Sequence, residues 1–242
     1  MILSAHQPAY MPWLGYLHKI ALCDRFVILD NVQFEKNSFI NRNQIKSPNG
    51  PIWLTIPVLL TGHTRLTVQD IKIDNSTDWR NKHWKSILFN YKKAPFFGKY
   101  SDYFEQLYKK DWIKLVDIID DQLKFFLNTL NIKTPVLYQS KLQIKSKKQE
   151  LIVDLCRKTG SDIFVFGALG KDYAQKEIFD KNHIKIYFQE YQHPIYSQLR
   201  GDFLPNLSAL DLIFNVCAQN AMDIIAGGNI NKDQLKDLLK EQ

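Results

Sequence analysis

The chain predicts an α/β fold: a mostly parallel, Rossmann-like sheet with a helical insertion in the middle of the chain. Three observations carry this. Short runs of β-branched and apolar residues, Arg25 to Asp30, Ile163 to Phe166 and Ile184 to Phe188, have the length and composition of buried strands. In the first and last thirds such runs alternate with helical segments, the pattern of parallel strands joined by right-handed crossovers. The middle third carries its apolar residues at helical spacing instead.

The elements follow in order. Residues 1–5 begin the first strand, HQPAYMPWLGY turns the chain through Pro8 and Pro12, and a helix follows over about 13–22. Arg25 to Asp30 is the second strand. Residues 31–50 are polar and Asn-rich and close on Ser47-Pro48-Asn49-Gly50, a strong turn signal. Pro51–Pro57 and Leu66–Ile73 read as further strands. Asn75, Ser76, Thr77 and Asp78 offer N-caps for a helix from Trp79 to about Tyr91, which Pro95 interrupts. Residues 98–109 and 112–130 read as helices, Leu115, Ile118, Ile119, Leu123, Phe126 and Leu127 sharing one face. A helical subdomain at about 78–135 is expected within one domain spanning 1–242. Gln149–Lys158 is a helix stopped near Gly160. A strand at 163–166, a turn through Gly167 and Gly170, a helix from Tyr173 to Asp180 and a strand at 184–188 follow. Helices at about 208–225 and 231–241 complete the chain.

Composition bounds the function. Of 242 residues, 45% are hydrophobic and 24% charged, ordinary for a globular protein. No apolar run approaches the ~18 residues needed to span a bilayer, and no signal peptide is evident, so a cytoplasmic location is expected. Cys23, Cys156 and Cys217 lie too far apart for a CxxC zinc site or a disulfide framework and read as reduced core thiols; no metal is expected. The net charge of +7 fits an anionic partner, a nucleotide-sugar or a phosphorylated small molecule. Nucleic acid is less favoured, because the lysines are dispersed apart from Lys141 to Lys148. That run reads first as a solvated helix entrance and second as a phosphate or RNA patch.

Five constellations could carry chemistry. His6, Gln7, Tyr10 and Trp13 crowd the turn after the first strand: His6 as base or as a residue ordering the turn, Gln7 and Tyr10 as orienting groups, Trp13 as a stacking wall or as core. Asp30, Gln33, Lys36, Asn41, Arg42, Asn43 and Lys46 form a cationic, amide-rich stretch suited to phosphate and hydroxyls, or a polar hairpin. His83 shares a helical face with Trp79, four residues before it. Gly167 and Gly170, with Tyr173, let backbone N–H groups approach an anion or make a tight strand-to-helix turn; they match neither GxGxxG nor a Walker A motif. His193, Tyr196 and Asp211 close the set, Ser208 and Asp211 reading most simply as a helix cap. Ligands of open α/β sheets sit beyond the carboxyl ends of strands, so His6, Asp30 and Gly167 would converge if their strands are neighbours.

Three pieces carry a resemblance. His6-Gln7-Pro8-x-Tyr10-x-Pro12-Trp13-x-Gly15-Tyr16 is followed by Asp24-x-Phe26-Val27-x-x-Asp30, then by Gln33-Phe34-x-Lys36 and Asn41-Arg42-Asn43. Together they resemble the opening of the WbqC-like family, and 191–196, 203–215 and the glycine turn with Tyr173 are similar to it as well. The resemblance implies a protein of O-antigen or other surface-polysaccharide biosynthesis, an aminoacyl or acyl transferase modifying a nucleotide-linked amino sugar. An activated acyl or aminoacyl donor would be the co-substrate, with no cofactor firmly implied. His6 would then be the base with His193 in reserve, Gln7 and Tyr10 would orient the substrate or hold the oxyanion, and Arg42 with Lys36 or Lys46 would meet the diphosphate. Two other readings stand beside it: a non-catalytic sugar-nucleotide or glycan-binding scaffold, and a nucleotidyl-transfer-like enzyme. A homodimer is compatible with all three.

Overall fold

The computed structural model describes residues 1–59, 61 and 66–240. Strand β1 (Ile2–His6) runs into helix α1 (Leu14–Leu22) and returns as β2 (Arg25–Ile28). A hairpin follows, β3 (Arg42–Ser47) and β4 (Gly50–Thr55), turning through Pro48 and Asn49. Helices α2 (Trp79–Tyr91), α3 (Phe97–Lys109) and α4 (Leu115–Thr129) come next, then a short β5 (Val136–Tyr138). Helix α5 (Lys148–Thr159) stops at Gly160, which takes the left-handed φ of 68° that terminates helices. Strand β6 (Ile163–Gly167), helix α6 (Lys176–Lys181) and β7 (Lys185–Gln189) repeat the strand–helix–strand pattern. Helices α7 (Ala209–Asn215), α8 (Ala218–Ala226) and α9 (Lys232–Lys240) end the described chain.

Five strands form one parallel sheet in the order β5-β2-β1-β6-β7, flanked by helices, as the sequence predicts. From β1 the chain builds outward to β2 and β5, then crosses to the other side for β6 and β7. The order therefore reverses between β1 and β6, and that reversal opens a crevice at the carboxyl ends of the two strands.

Alternation along the strands divides the core. Leu3, Val27, Phe164 and Phe166 meet α5 and α6 through Leu155 and Phe179. Phe26 and Ile28 face Leu17 of α1 and the buried sides of α2–α4, including Tyr91, Phe104, Ile118 and Phe126. Those three helices thus share a core with the sheet. No described helix is long and apolar enough to cross a membrane.

The structure corrects several element boundaries. Leu66–Ile73 is not a strand: Thr67 makes an isolated bridge to Gln33, and Val68–Asp70 is a 3-10 turn whose buried residues, Val68 and Ile71, stand three apart. The helix expected over 208–225 is two, broken at Val216 and Cys217, because the Asn215 side chain bonds back to the Asp211 carbonyl and α7 ends there. The helix expected from Tyr173 starts at Lys176, after a 3-10 turn over Ala168–Asp172. The polar stretch before Gly50 contains β3. Residue 241, at the end of the last expected helix, lies outside the described residues.

Candidate functional site

A cleft of about 640 Å³ occupies the crevice between the carboxyl ends of β1 and β6. Strand β1 delivers His6 and Gln7 to it, α1 delivers Trp13, Gly15 and Lys19, and β6 delivers Gly167 with the turn to Gly170. Gln189 and Tyr191, at the end of β7, close one side.

His6 is fixed in tautomer. Its Nδ1 lies 3.0 Å from the Gln7 carbonyl, which only accepts, so Nδ1 carries the proton and Nε2 the lone pair. The Tyr16 hydroxyl donates to the same carbonyl at 3.2 Å. Trp13 and Tyr16 stand edge-on to the imidazole, with ring centroids 5.6 and 5.1 Å away. Burial, with a smaller contribution from the Lys19 charge, pushes His6 down to about 3, so it is a neutral hydrogen-bond acceptor at physiological pH.

Lys19 is the unusual residue. It is 3% exposed, yet its Nζ has no hydrogen-bond or ion-pair partner among the described residues. Burial holds its pKa down to about 8. A lysine is almost never buried unpaired, because desolvating an ammonium is costly. Its Nζ lies 3.9 Å from the point where a Cβ on Gly167 would stand, so the end of β6 leaves it room. An anion in the cleft would supply the missing partner.

The walls are held by specific packing. A Cβ on Gly15 would lie 2.9 Å from Cδ1 of Tyr191, and one on Gly170 would lie 2.6 Å from Cβ of Phe166. Both glycines therefore permit close approach: α1 to the β7 end, and the 168–172 turn to β6. Gln189 Nε2 donates to the Gly15 carbonyl at 3.1 Å and to Nδ1 of His18 at 2.8 Å. His18 Nε2 in turn donates to the Ile230 carbonyl at 3.1 Å. Gln149 grips the turn from α5, donating to the Tyr173 carbonyl at 3.0 Å and accepting from the Gln175 amide at 2.8 Å.

Of the candidate chemistry-bearing residues read from the sequence, His6, Gln7, Trp13, Gly167, Gly170 and Tyr173 line this cleft. The others stand elsewhere. Tyr10 is sealed in the core, its hydroxyl 2.8 Å from His83 Nδ1 and 2.5 Å from the Tyr108 hydroxyl, and His83 Nε2 reaches the Thr55 carbonyl at 3.2 Å. Asp30 accepts from the Ser140 amide and hydroxyl at 2.9 and 2.5 Å, tying β2 to the chain after β5. Asn43 is buried and donates to the Met11 carbonyl at 2.6 Å, stabilising a backbone whose Met11 φ is +46°. Asn41 donates to the Ile56 carbonyl at 2.8 Å. Arg42 bonds the Asn37 carbonyl and lies over the Trp53 ring at 4.5 Å. Lys46 Nζ is engaged by Gln198 and the Asp202 carbonyl at 2.9 and 2.6 Å. Lys36 is exposed, and Gln33 lines a different cleft.

The C-terminal group forms its own network. Asp211 is buried and accepts from the Tyr91 and Tyr196 hydroxyls at 2.8 and 3.0 Å. Burial raises its pKa against those bonds and the Lys46 charge. Ser208 caps α7 by accepting from the Leu210 amide at 3.2 Å, but the Asp211 carboxyl faces the tyrosines rather than the cap. His193 donates from Nδ1 to the Pro194 carbonyl at 2.9 Å and stacks on Tyr196, its Nε2 sealed without a partner among the described residues.

Sequence reasoning missed Lys19 and Gln189, and met Tyr191 only as part of the 191–196 stretch around His193. Lys19 had a signal: it follows Gly15 by four residues, on a helix whose residues are nearly all apolar or small, so it could not be solvated as a surface lysine is.

Fold and site together define an α/β protein with a Rossmann-like sheet and a cation-bearing cleft at its switch point. The model of the WbqC-like protein family matches residues 7–224, and the chain belongs to that family. It is similar to an uncharacterized protein of Mycobacterium tuberculosis, Rv1507c, at 32% identity over 215 residues, which cover 88% of this chain and 93% of that protein. No solved structure matches.

Proposed function

We propose that the protein is a transferase that holds the diphosphate of a nucleotide-linked amino sugar in the switch-point cleft and transfers an acyl or aminoacyl group to its amine. The observation that carries this reading is the buried Lys19, unpartnered among the described residues, beside Gly167 and near His6. The acceptor chemistry rests on the family resemblance, which also points to surface-polysaccharide biosynthesis.

In the step, the sugar amine attacks the carbonyl carbon of the activated donor. The C–N bond forms, the bond from the carbonyl to the donor's leaving group breaks, and the amine proton passes to His6 Nε2 and on to the leaving group. A diphosphate on Lys19 would neutralise the charge that helps depress His6, making the imidazole a better base once substrate is bound. Trp13 offers a ring wall for the sugar, and Gln7 a side-chain amide for the oxyanion.

The test is mass spectrometry of nucleotide-linked amino sugars incubated with activated acyl and aminoacyl donors. The wild type is expected to add the acyl mass, and folded His6→Ala protein to lose that activity by at least about 100-fold. Turnover by His6→Ala at the wild-type rate would overturn the reading. The depression of His6 to about 3 favours one alternative, a protein of the same pathway that binds the sugar nucleotide without changing it. Tight binding with no mass change would select it.

A further inference from the structure

A second cleft, of about 580 Å³, opens at the same sheet edge beside the ends of β2 and β5. Helix α5 stands between the two, contributing Leu151 to this cleft and Ile152 to the switch-point cleft. We propose that this cleft is a separate phosphate site, for a phosphate or diphosphate ester whose neutral part carries O–H or N–H donors, as a nucleotide does.

Four observations converge. The cleft is lined by Lys145, Lys147 and Lys148, all exposed and none in an ion pair among the described residues. It meets the start of α5, a 12-residue helix whose N-cap, Lys147, makes no capping bond from its side chain. The first amides of α5, at Lys148, Gln149 and Glu150, have no acceptor among the described residues, so partial positive charge and free N–H groups coincide with the lysines. Gln139 lines the cleft at 3% exposure, its Oε1 without a partner among the described residues, and the Ser146 hydroxyl is likewise unpartnered among them. A buried amide left unpaired is costly, and a ligand hydroxyl or N–H would satisfy it. Val32, Leu66, Ile144 and Leu151 give the neutral part an apolar bed. The Thr67 hydroxyl is already engaged by Asp70 and is left out of the site.

The proposal stands independently of the role of Lys19. In a two-substrate transferase it would supply a place for a second phosphorylated ligand.

The experiment titrates inorganic pyrophosphate, then adenosine diphosphate, into the isotope-labelled full chain and follows backbone amides by NMR. Pyrophosphate is expected to shift Lys148, Gln149 and Glu150 in the wild type and equally in Lys19→Met. Lys147→Gln combined with Lys148→Gln should weaken both probes by at least about tenfold at these amides. Adenosine diphosphate should bind more tightly than pyrophosphate, and Gln139→Leu should remove that advantage alone. If the double variant fails to fold, affinity at these amides in the wild type must still fall with added salt. Unmoved amides at 148–150, salt-independent binding, or a double variant that binds as the wild type does overturns the proposal. Adenosine diphosphate no tighter than pyrophosphate overturns its nucleotide part. Shifts confined to Gly167–Gly170 overturn it while leaving the switch-point reading intact, and shifts confined to 148–150 do the reverse.

Discussion

The Lys19 ammonium stands 3.9 Å from the point where a Cβ on Gly167 would lie, so the helix leaving β1 delivers a buried cation to the end of its neighbour β6. The contact joins the two strands between which the sheet order reverses. It places positive charge where open α/β sheets bind their ligands.

Lys19 should cost stability in the absence of a ligand. Its pKa is lowered by burial from 10.5 to about 8, a depression worth roughly 3 kcal/mol. Below pH 8 both states are protonated and the folded one carries the full desolvation cost. Between about 8 and 10.5 only the unfolded chain holds the proton, so this contribution makes stability rise with pH. Lys19→Met is expected to be more stable than wild type at pH 7, by up to about 3 kcal/mol, with the gap narrowing by pH 10. Urea unfolding at the two pH values checks it. A variant less stable than wild type at pH 7 would show that the ammonium is paired.

Acid should unfold the protein through half-buried His6 and buried His18 and His83. Burial lowers His6 to about 3 and His18 and His83 to about 4, all from 6.5. As pH falls below 6.5, the unfolded chain takes up protons that the folded one refuses, so stability falls with pH. Near pH 5 the three together give a slope on the order of 4 kcal/mol per pH unit. Imidazole NMR should show all three neutral at pH 5. Pyrophosphate should raise the pKa of His6 and leave His18 and His83 unchanged.

Asp211 should matter as the acceptor of two buried tyrosines. Asp211→Ala leaves the Tyr91 and Tyr196 hydroxyls without their acceptor and is expected to cost about 2–4 kcal/mol in urea unfolding. Asp211→Asn keeps an acceptor and should cost about 1 kcal/mol. Its pKa is raised, so the charge contribution has the opposite sign to that of the histidines: it favours the folded state at low pH and is lost as pH rises through the folded value. Ser208→Ala, which removes only the cap, should cost about 1 kcal/mol independently of pH.

Two glycines should tolerate no methyl group. Gly170→Ala would bring its Cβ to 2.6 Å from that of Phe166, and Gly15→Ala to 2.9 Å from the Tyr191 ring. Each is expected to lower stability by about 1–3 kcal/mol and to weaken anion binding in the cleft. Gly98→Ala, which meets nothing within 4 Å, is the control and should be neutral or slightly stabilising. Thermal unfolding of the three variants separates the cases.

The parallel sheet was legible wherever burial was achieved by apolar side chains. Phe26, Val27 and Phe164 to Phe166 announce their strands, and Gly160 announces the end of α5. Strand β3 was legible only as part of the alternative polar hairpin, because Asn43 is buried by hydrogen bonds to the Tyr10 and Met11 carbonyls rather than by hydrophobicity. Strand β5 has three residues between Pro135 and the next turn, too short for periodicity to register. Val68 and Ile71 imitated a strand although their spacing of three is that of a 3-10 turn. In the cleft, His6, Gln7 and Trp13 were visible because polar and aromatic residues crowd a turn. Tyr10, from the same turn, faces the core instead, which no local pattern distinguishes. Lys19 carried only the signal of an otherwise apolar helix, and the packing of Gly15 against Tyr191 shows which face is covered.

The most direct test of the switch-point cleft as an anion site is pyrophosphate binding followed at the amides of Gly167 to Gly170 and at the imidazole of His6. Wild-type protein is expected to shift these amides and raise the His6 pKa, and Lys19→Met to lose both responses while remaining folded. Shifts of equal size in Lys19→Met, or none in the wild type, would contradict the assignment.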